Sequence, residues 1–311
     1  MTNLVSFCVL AHSDAAMLKR LCGRLAPHPI HVHIDKKSTT LSLAEVEAIP
    51  NVVTALQEVE VHWADFSMVR AAFLLLERAQ QETPDGHTLL LSGSCYPLVP
   101  VEWLVRYLAQ HRDRDIIQLI RVGPRSELHR LVARRWRMRP FLTTATRVRV
   151  PLVAKADDFA RRLYNALTRR LGRDFLREIG GRTPHHGSSW WAISPASRDY
   201  LLELWRQHPQ WFTAFESVYA VDEIFIHTLL ANGERRGHQI GPTTDLGTET
   251  IYDAPLHFVF QGNARSVEDT PETRVAVERT EKFFLRKLSS CNTDLLDWID
   301  TRADNLHRTG A

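Results

Sequence analysis

Over the first 120 residues the apolar positions switch repeatedly between continuous runs and a helical period. "LVSFCVLAH" is a continuous apolar run and reads as a buried strand, followed by "DAAMLKRLCGRL", a helix opened by Ser13 or Asp14. In "IHVHID", Ile30, Val32 and Ile34 alternate with His31, His33 and Asp35, a second strand. A short helix at "LSLAEVEAI", a strand at "VVTAL" and a long amphipathic helix at "FSMVRAAFLLLERAQQ" come next. Then follow a buried strand at "HTLLLSG", a helix at "VEWLVRYLAQH" and a strand at "DIIQLI". Strand and helix in strict turn predict a mostly parallel, Rossmann-type α/β sheet covered by helices on both faces. Such sheets bind ligands beyond the carboxyl ends of their strands. Those ends fall at 11–13, 35–38 and 92–97.

Further along, "SSWWAIS" predicts a strand and "PASRDYLLELWRQH" a helix. In "AFESVYAVDEIFIHTLLANG", Val221, Ile224, Phe225, Thr228 and Leu229 recur at the spacing of one buried helix face. The tail predicts a strand at "LHFVF" and a helix at "NTDLLDWIDTRADNL". Between Arg121 and Arg182 the pattern becomes basic, with seventeen Lys and Arg against five Asp and Glu, centred on "RLVARRWRMRP". Solvated helices account for such a block. So local an excess also suits an anionic ligand or an anionic membrane surface.

The chain of 311 residues is 44% apolar and 24% charged, as expected of a soluble globular protein, and its net charge is only +3. The expectation is one domain over 1–311: an alternating α/β half at 1–120, a basic helical insertion at 121–182, and a further half with its tail at 183–311. Cys8, Cys22, Cys95 and Cys291 share no metal or disulfide spacing and fit a reducing compartment. The first strand leaves no room for a signal peptide, and no apolar run reaches a bilayer's thickness. A cytoplasmic protein is expected, peripheral at most to the inner membrane face.

Neither a G-x-x-x-x-G-K-[ST] loop nor a G-x-G-x-x-G follows the first strand. "HVHIDKK" offers two histidines on one strand face without a third ligand, too few for zinc. Asp113-Arg114-Asp115 precedes its strand, the wrong end for a metal-binding Asp-x-Asp, and reads as a turn. Asp222 and Glu223 stand before the apolar stripe, where acidic residues commonly meet the positive end of a helix dipole. By pattern alone they are ordinary helix-start charges.

Five segments in order resemble the core-2/I-branching β-1,6-N-acetylglucosaminyltransferases, glycosyltransferase family 14, which includes the peptide O-xylosyltransferases. They are "VLAHSDAAMLKRL" with "HVHIDKKS", "WADFSMVRAAFLLLERA", "LLLSGSCYPL", "GSSWWAIS" and "VDEIFIHTLL". "GNARSVEDTPE" and "FFLRKL" extend the likeness more weakly, and 121–182 has no counterpart in it. The resemblance implies a GT-A-like fold and an inverting, metal-independent transfer from a UDP-sugar, with no cofactor. It makes Glu223 the base that takes the acceptor hydroxyl's proton, and Asp222 a residue that caps or orients. Held down by the helix dipole, Glu223 is expected to be ionised. The resemblance also places Ala11 and His12 along the uridine, Asp35 at the base or ribose, and Trp63 and Ser67 in the donor pocket. Arg265 and Lys287 fall near the cations that neutralise departing UDP. Ser94 and Cys95, in the strand-end loop, and Ser189, Trp190 and Trp191 are expected at the substrate, an indole offering a flat face to a sugar. Family members usually carry Asp where this chain has Cys95, which leaves one carboxylate missing.

The expected activity moves a sugar, N-acetylglucosamine or xylose, from a UDP-sugar to a glycan or glycolipid acceptor in surface polysaccharide synthesis. A non-catalytic nucleotide-sugar or glycan-binding protein on the same scaffold is the alternative. No aromatic stacking pattern or reader motif accompanies the basic residues, so nucleic acid is not an expected partner.

Overall fold

The computed structural model describes residues 5–240, 243–245, 254–259 and 266–309. Its first part follows the predicted alternation: β1 (Val5–Ala11), α1 (Ala15–Leu25), β2 (Ile30–Ile34), α2 (Leu43–Glu47), β3 (Val52–Leu56), α3 (Phe66–Glu82), β4 (His87–Ser92), β5 (Tyr96–Pro97) and α4 (Val101–Gln110). β2 and β4 are buried along their whole length, as strands covered on both faces must be. Local capping sets the helix starts. Asp14 accepts the N–H of Met17 ahead of α1, and Asp65 accepts the N–H of Ser67 ahead of α3.

"DIIQLI" is not one strand. It divides into β6 (Asp115–Ile116) and β7 (Leu119–Arg121), which belong to different sheets. The basic segment then supplies α5 (His129–Val132), α6 (Thr144–Arg149), α7 (Pro151–Thr168) and α8 (Phe175–Glu178), helical as expected. After it come β8 (His185–His186), β9 (Ala192–Ile193), α9 (Pro195–Gln207), α10 (Pro209–Phe215), a 3-10 turn at Val221–Glu223 and α11 (Phe225–Asn232). The remaining described elements are β10 (Gln239–Ile240), β11 (Thr243–Asp245), β12 (His257–Val259), α12 (Pro271–Arg279), β13 (Phe284–Arg286) and α13 (Thr293–Thr309).

The central sheet has seven strands in the order β10-β6-β9-β4-β1-β2-β3. Only β9 runs against its neighbours, so the fold is α/β with a mostly parallel sheet. Asp115 shows why "DIIQLI" breaks. Its buried carboxylate accepts the N–H of Ser194 at 2.8 Å and the hydroxyls of Ser194 and Ser197 at 2.9 and 2.6 Å, tying β6 to the start of α9. Asp113 does lie in a turn, but Asp115 is a strand residue with a structural task.

The C-terminal part crosses back over the first half. β13 lies between β12 and β5, and α13 packs on α1 through Arg20 to Asp297 and Asp300 (both 2.6 Å) and Arg24 to Asp304 (2.8 Å). On the opposite side, Arg198 of α9 is fully buried. Its guanidinium donates to the carbonyls of Thr83 (2.9 Å), Gly86 (3.1 Å) and Pro84, closing the turn between α3 and β4. Removing it strands buried acceptors. Arg198→Met is expected to lower stability by about 3 kcal/mol in urea unfolding; an unchanged midpoint would show that water replaces the guanidinium.

Candidate active site

The carboxyl ends of β1, β2 and β4 meet at a cleft of about 560 Å³, within the usual range for small-molecule sites. Backbone bonds hold the ends together: Asp35 N to Ala11 O at 2.8 Å and Gly93 N to Leu10 O at 2.9 Å. Ala11, His12 and Asp35 line one side, and Trp63, Ser94 and Trp190 line others. A wall no strand pattern foretold comes from residues 286–289. That segment is stitched down by Leu288 N to Ser94 O (2.9 Å) and by Ser290 N to the Asp14 carboxylate (2.8 Å).

Asp35 accepts the N–H groups of Lys37 and Val61 and an ion pair from the Lys37 ammonium at 2.8 Å. Burial pushes its carboxyl up, but Lys37 and the two N–H groups outweigh this and hold it below the usual carboxylate range. Across the cleft, Arg286 and Lys287 supply positive charge. The Arg286 guanidinium lies over the Trp190 ring, 4.6 Å from its centroid, with Nε 3.4 Å from the Ser92 hydroxyl. Burial holds the pKa of both cations below its ordinary value. Sequence reasoning named Lys287 and missed Arg286; the signal available was the neighbouring Arg in "FFLRKL".

Asp222 and Glu223 stand beside this cleft, close enough to act electrostatically on Arg286 and on Tyr219. The apolar stripe is buried as predicted, but the acidic pair does not open its helix. It occupies the 3-10 turn, entered through Ala220 in the left-handed region (φ 50°), and α11 begins only at Phe225. The group that meets the Glu223 carboxylate is therefore His186, with Nε2 3.1 Å from Oε2, rather than a helix N-terminus. His186 was not singled out in the sequence, because nothing in "PHHGSS" links it to a residue 37 positions away.

The two carboxylates differ. Asp222 is half-buried, accepts the Ser189 hydroxyl at 2.7 Å, and leaves its other, buried oxygen without a partner. Burial, then the charge of Glu223, pushes it up to about 6. Glu223 keeps 39% of its side chain exposed. Gly187 brings the two segments together: its N–H donates to the Glu223 carbonyl at 2.9 Å. A Cβ there would lie 2.1 Å from the Gln118 carbonyl oxygen and 2.5 Å from the His227 ring.

Several expected site residues have other tasks. Ser67 is buried, and its hydroxyl accepts the N–H of His62 at 2.9 Å, fixing the loop that carries Trp63. Cys95 is buried with its sulfur 3.3 Å from Ser92 N, and burial pushes its thiol up, so it presents no charge to a ligand. Trp191 is core. Trp190 reaches the cleft but carries Arg286 on its ring, so a sugar does not have that face free. Trp63 is 72% exposed and does offer a face. It meets Tyr219 edge-on at 5.7 Å, Tyr219 meets Trp136 at 5.0 Å, and Arg134 lies 3.5 Å over Trp136. Arg265 lies outside the described residues. His31 and His33 are buried, bonded to the Thr54 hydroxyl and the Val59 N–H respectively. Among the described residues no group of three or more His, Cys, Asp or Glu could hold a metal ion.

Comparison with known proteins decides what this arrangement belongs to. The profile of the Core-2/I-Branching enzyme family matches residues 5–241. The chain belongs to that family. It is accordingly a glycosyltransferase of the core-2/I-branching type, and the family implies a nucleotide-sugar donor and a glycan acceptor. Arg286 and Lys287 lie beyond the matched residues. No curated protein matches the sequence. Similar solved structures include a glucose-1-phosphate thymidylyltransferase of Bacillus anthracis in complex with sucrose, at 8% identity over 78% of this chain and 87% of that one (TM-score 0.36). Another is a mannose-1-phosphate geranyltransferase of Thermus thermophilus, at 15% identity over 75% and 66% (TM-score 0.32). Neither likeness is close enough to argue from.

Two outcomes are expected. Gly187→Ala forces the two segments apart, costing about 1–3 kcal/mol and at least as large a share of activity as of stability; wild-type melting and turnover would refute this packing. The folded-state pKa of Asp222 is raised, so its stabilising effect is complete below about pH 4 and is lost as pH rises through about 6. The melting temperature of wild type relative to Asp222→Asn should therefore fall between pH 4 and pH 6 and then level off. A difference independent of pH would mean that Asp222 does not titrate there.

Proposed function

We propose that the cleft binds a UDP-sugar, with N-acetylglucosamine or xylose as the transferred group, and that Glu223 is the base of an inverting, metal-independent transfer. In this reading the nucleoside lies along Ala11, His12 and Asp35, and the diphosphate lies against Arg286 and Lys287. The acceptor hydroxyl gives its proton to Glu223 as its oxygen bonds to the anomeric carbon. The bond from that carbon to the β-phosphate oxygen breaks on the opposite face, and UDP leaves with the electron pair. Inversion follows from the single in-line displacement.

The observation that carries the reading is the cationic wall. A half-buried guanidinium with no ion-pair partner among the described residues stands beside an exposed ammonium at the carboxyl ends of parallel strands. Such a pair supplies the charge stabilisation that a leaving diphosphate needs, without reorganising during the reaction. His186 supports the base role, since its contact fixes the direction of the Glu223 carboxylate. Trp63, with Tyr219 behind it, gives the acceptor sugar an apolar face. Cys95 in place of a carboxylate leaves Arg286 without an ion-pair partner among the described residues, Asp222 and Glu223 acting on it only from a distance, which favours an anionic ligand.

Calorimetric titration of UDP in excess EDTA tests the reading. Binding is expected, weakened about 10–100-fold by Arg286→Ala or Lys287→Ala. Glu223→Gln should keep UDP binding while turnover of the UDP-sugar falls by at least about 100-fold. Absence of UDP binding with and without Mn²⁺ would overturn the donor assignment. Binding that appears only with Mn²⁺ would overturn metal independence.

A further inference from the structure

The helix α7 is inside out. Its polar side packs inward: Asp157 accepts the N–H of Phe141 (3.0 Å), Asn165 bonds both the N–H and the carbonyl of Arg137 (2.9 and 3.0 Å), and the Thr168 hydroxyl donates to the Arg135 carbonyl (2.9 Å). Its apolar side faces outward. Leu152 is 77% exposed, Phe159 68%, Leu163 48% and Leu167 60%, and Leu171 continues beyond the helix at 67%. The spacing of seven, four and four residues puts the four helical side chains on one face. A soluble protein gains nothing by presenting such a stripe to water.

The surroundings of the stripe say what covers it. Lys155, Arg162 and Arg169 recur every seven residues along one edge, and Arg170 is exposed beside them. Among the described residues none of these cations makes an ion pair. Next to α7 an open groove of about 610 Å³ is lined by Arg130, Arg134, Arg169 and Asn165, with no carboxylate in its lining. An apolar face rimmed by unneutralised cations complements a surface that is apolar within and anionic at its boundary. A second copy fits poorly, because a two-fold contact through this face would bring the same cations of both copies together.

We propose that α7 seats the protein on an anionic lipid bilayer, with Leu152, Phe159, Leu163, Leu167 and Leu171 entering the acyl boundary and the flanking Lys and Arg meeting lipid phosphates. This is the arrangement of an interfacial amphipathic helix, which lies in the surface and does not cross it. Among the described residues no helix is long and apolar enough to cross. The row from Arg134 through Trp136 and Tyr219 to Trp63 connects the lipid face to the mouth of the cleft. The inference rests on surface geometry alone and stands or falls independently of the UDP reading.

Flotation of the full-length protein with liposomes tests it, comparing phosphatidylcholine alone with phosphatidylcholine containing phosphatidylglycerol. The protein is expected to float with the anionic vesicles, and about tenfold less with the neutral ones. Phe159→Ser/Leu163→Ser should lower flotation by about tenfold or more with little change in melting temperature, since the two residues are 68% and 48% exposed. Arg162→Gln/Arg169→Gln, at two exposed positions, should lower it at low salt and leave the remainder less sensitive to salt; this pair keeps the test decisive if the first variant folds poorly. Equal flotation with both vesicle types, or wild-type flotation by both variants, would overturn the proposal. So would sedimentation equilibrium without lipid showing a dimer that Phe159→Ser/Leu163→Ser dissolves, which would assign the face to a second copy.

Discussion

One backbone hydrogen bond, from Gly187 N–H to the Glu223 carbonyl, holds the reactive corner in shape. The approach requires a residue without a side chain, because the Gln118 carbonyl and the His227 ring already fill the space a Cβ would take. Residues near the bond then fall into place on both sides. His186 precedes it and reaches the Glu223 carboxylate, while Ser189 and Trp190 follow it and reach Asp222 and Arg286. The 3-10 turn serves the same constraint. In that turn the Asp222 carboxylate reaches the Ser189 hydroxyl, while Glu223 reaches His186 and keeps part of its side chain in solvent.

That division gives two adjacent carboxylates different chemistry. Asp222, half-buried beside the charge of Glu223 and with one hydroxyl donor, has its pKa raised. Glu223 retains solvent and a histidine. Pairs of acidic groups driven apart by environment are a common means of separating roles within one site. The cations opposite are treated likewise. Arg286 is half-buried, and an indole face and a hydroxyl take up part of its lost hydration.

Much of the fold was legible in the sequence, for identifiable reasons. Long continuous or alternating apolar runs such as Val5–Ala11, Ile30–Ile34 and His87–Ser92 leave little choice of element, and their order fixes a parallel sheet. "DIIQLI" misled because burial on both sides of an interrupted strand looks like one buried strand; the decisive fact was what Asp115 bonds to, 79 residues away. Within the site, Ala11, His12, Asp35, Ser94, Trp63, Trp190 and Lys287 do line one cleft. Ser67, Cys95 and Trp191 showed the limit of local reading: a motif tells which segments converge, while side-chain direction depends on packing from elsewhere. The inverted polarity of α7 was hidden for the same reason. Its pattern is that of any amphipathic helix, and only the partners of Asp157, Asn165 and Thr168 reveal which side is inward.

The wall of residues 286–289 has a consequence for biosynthesis. Every strand end that floors the cleft has been synthesised by Ser92, yet the cations opposite come almost two hundred residues later and are braced by α13 gripping α1. Domains begin to fold as the chain emerges from the ribosome. A nascent chain can therefore complete the strands that floor the cleft before the cations of the facing wall exist. The cleft gains its charged wall late, only when α13 closes on α1.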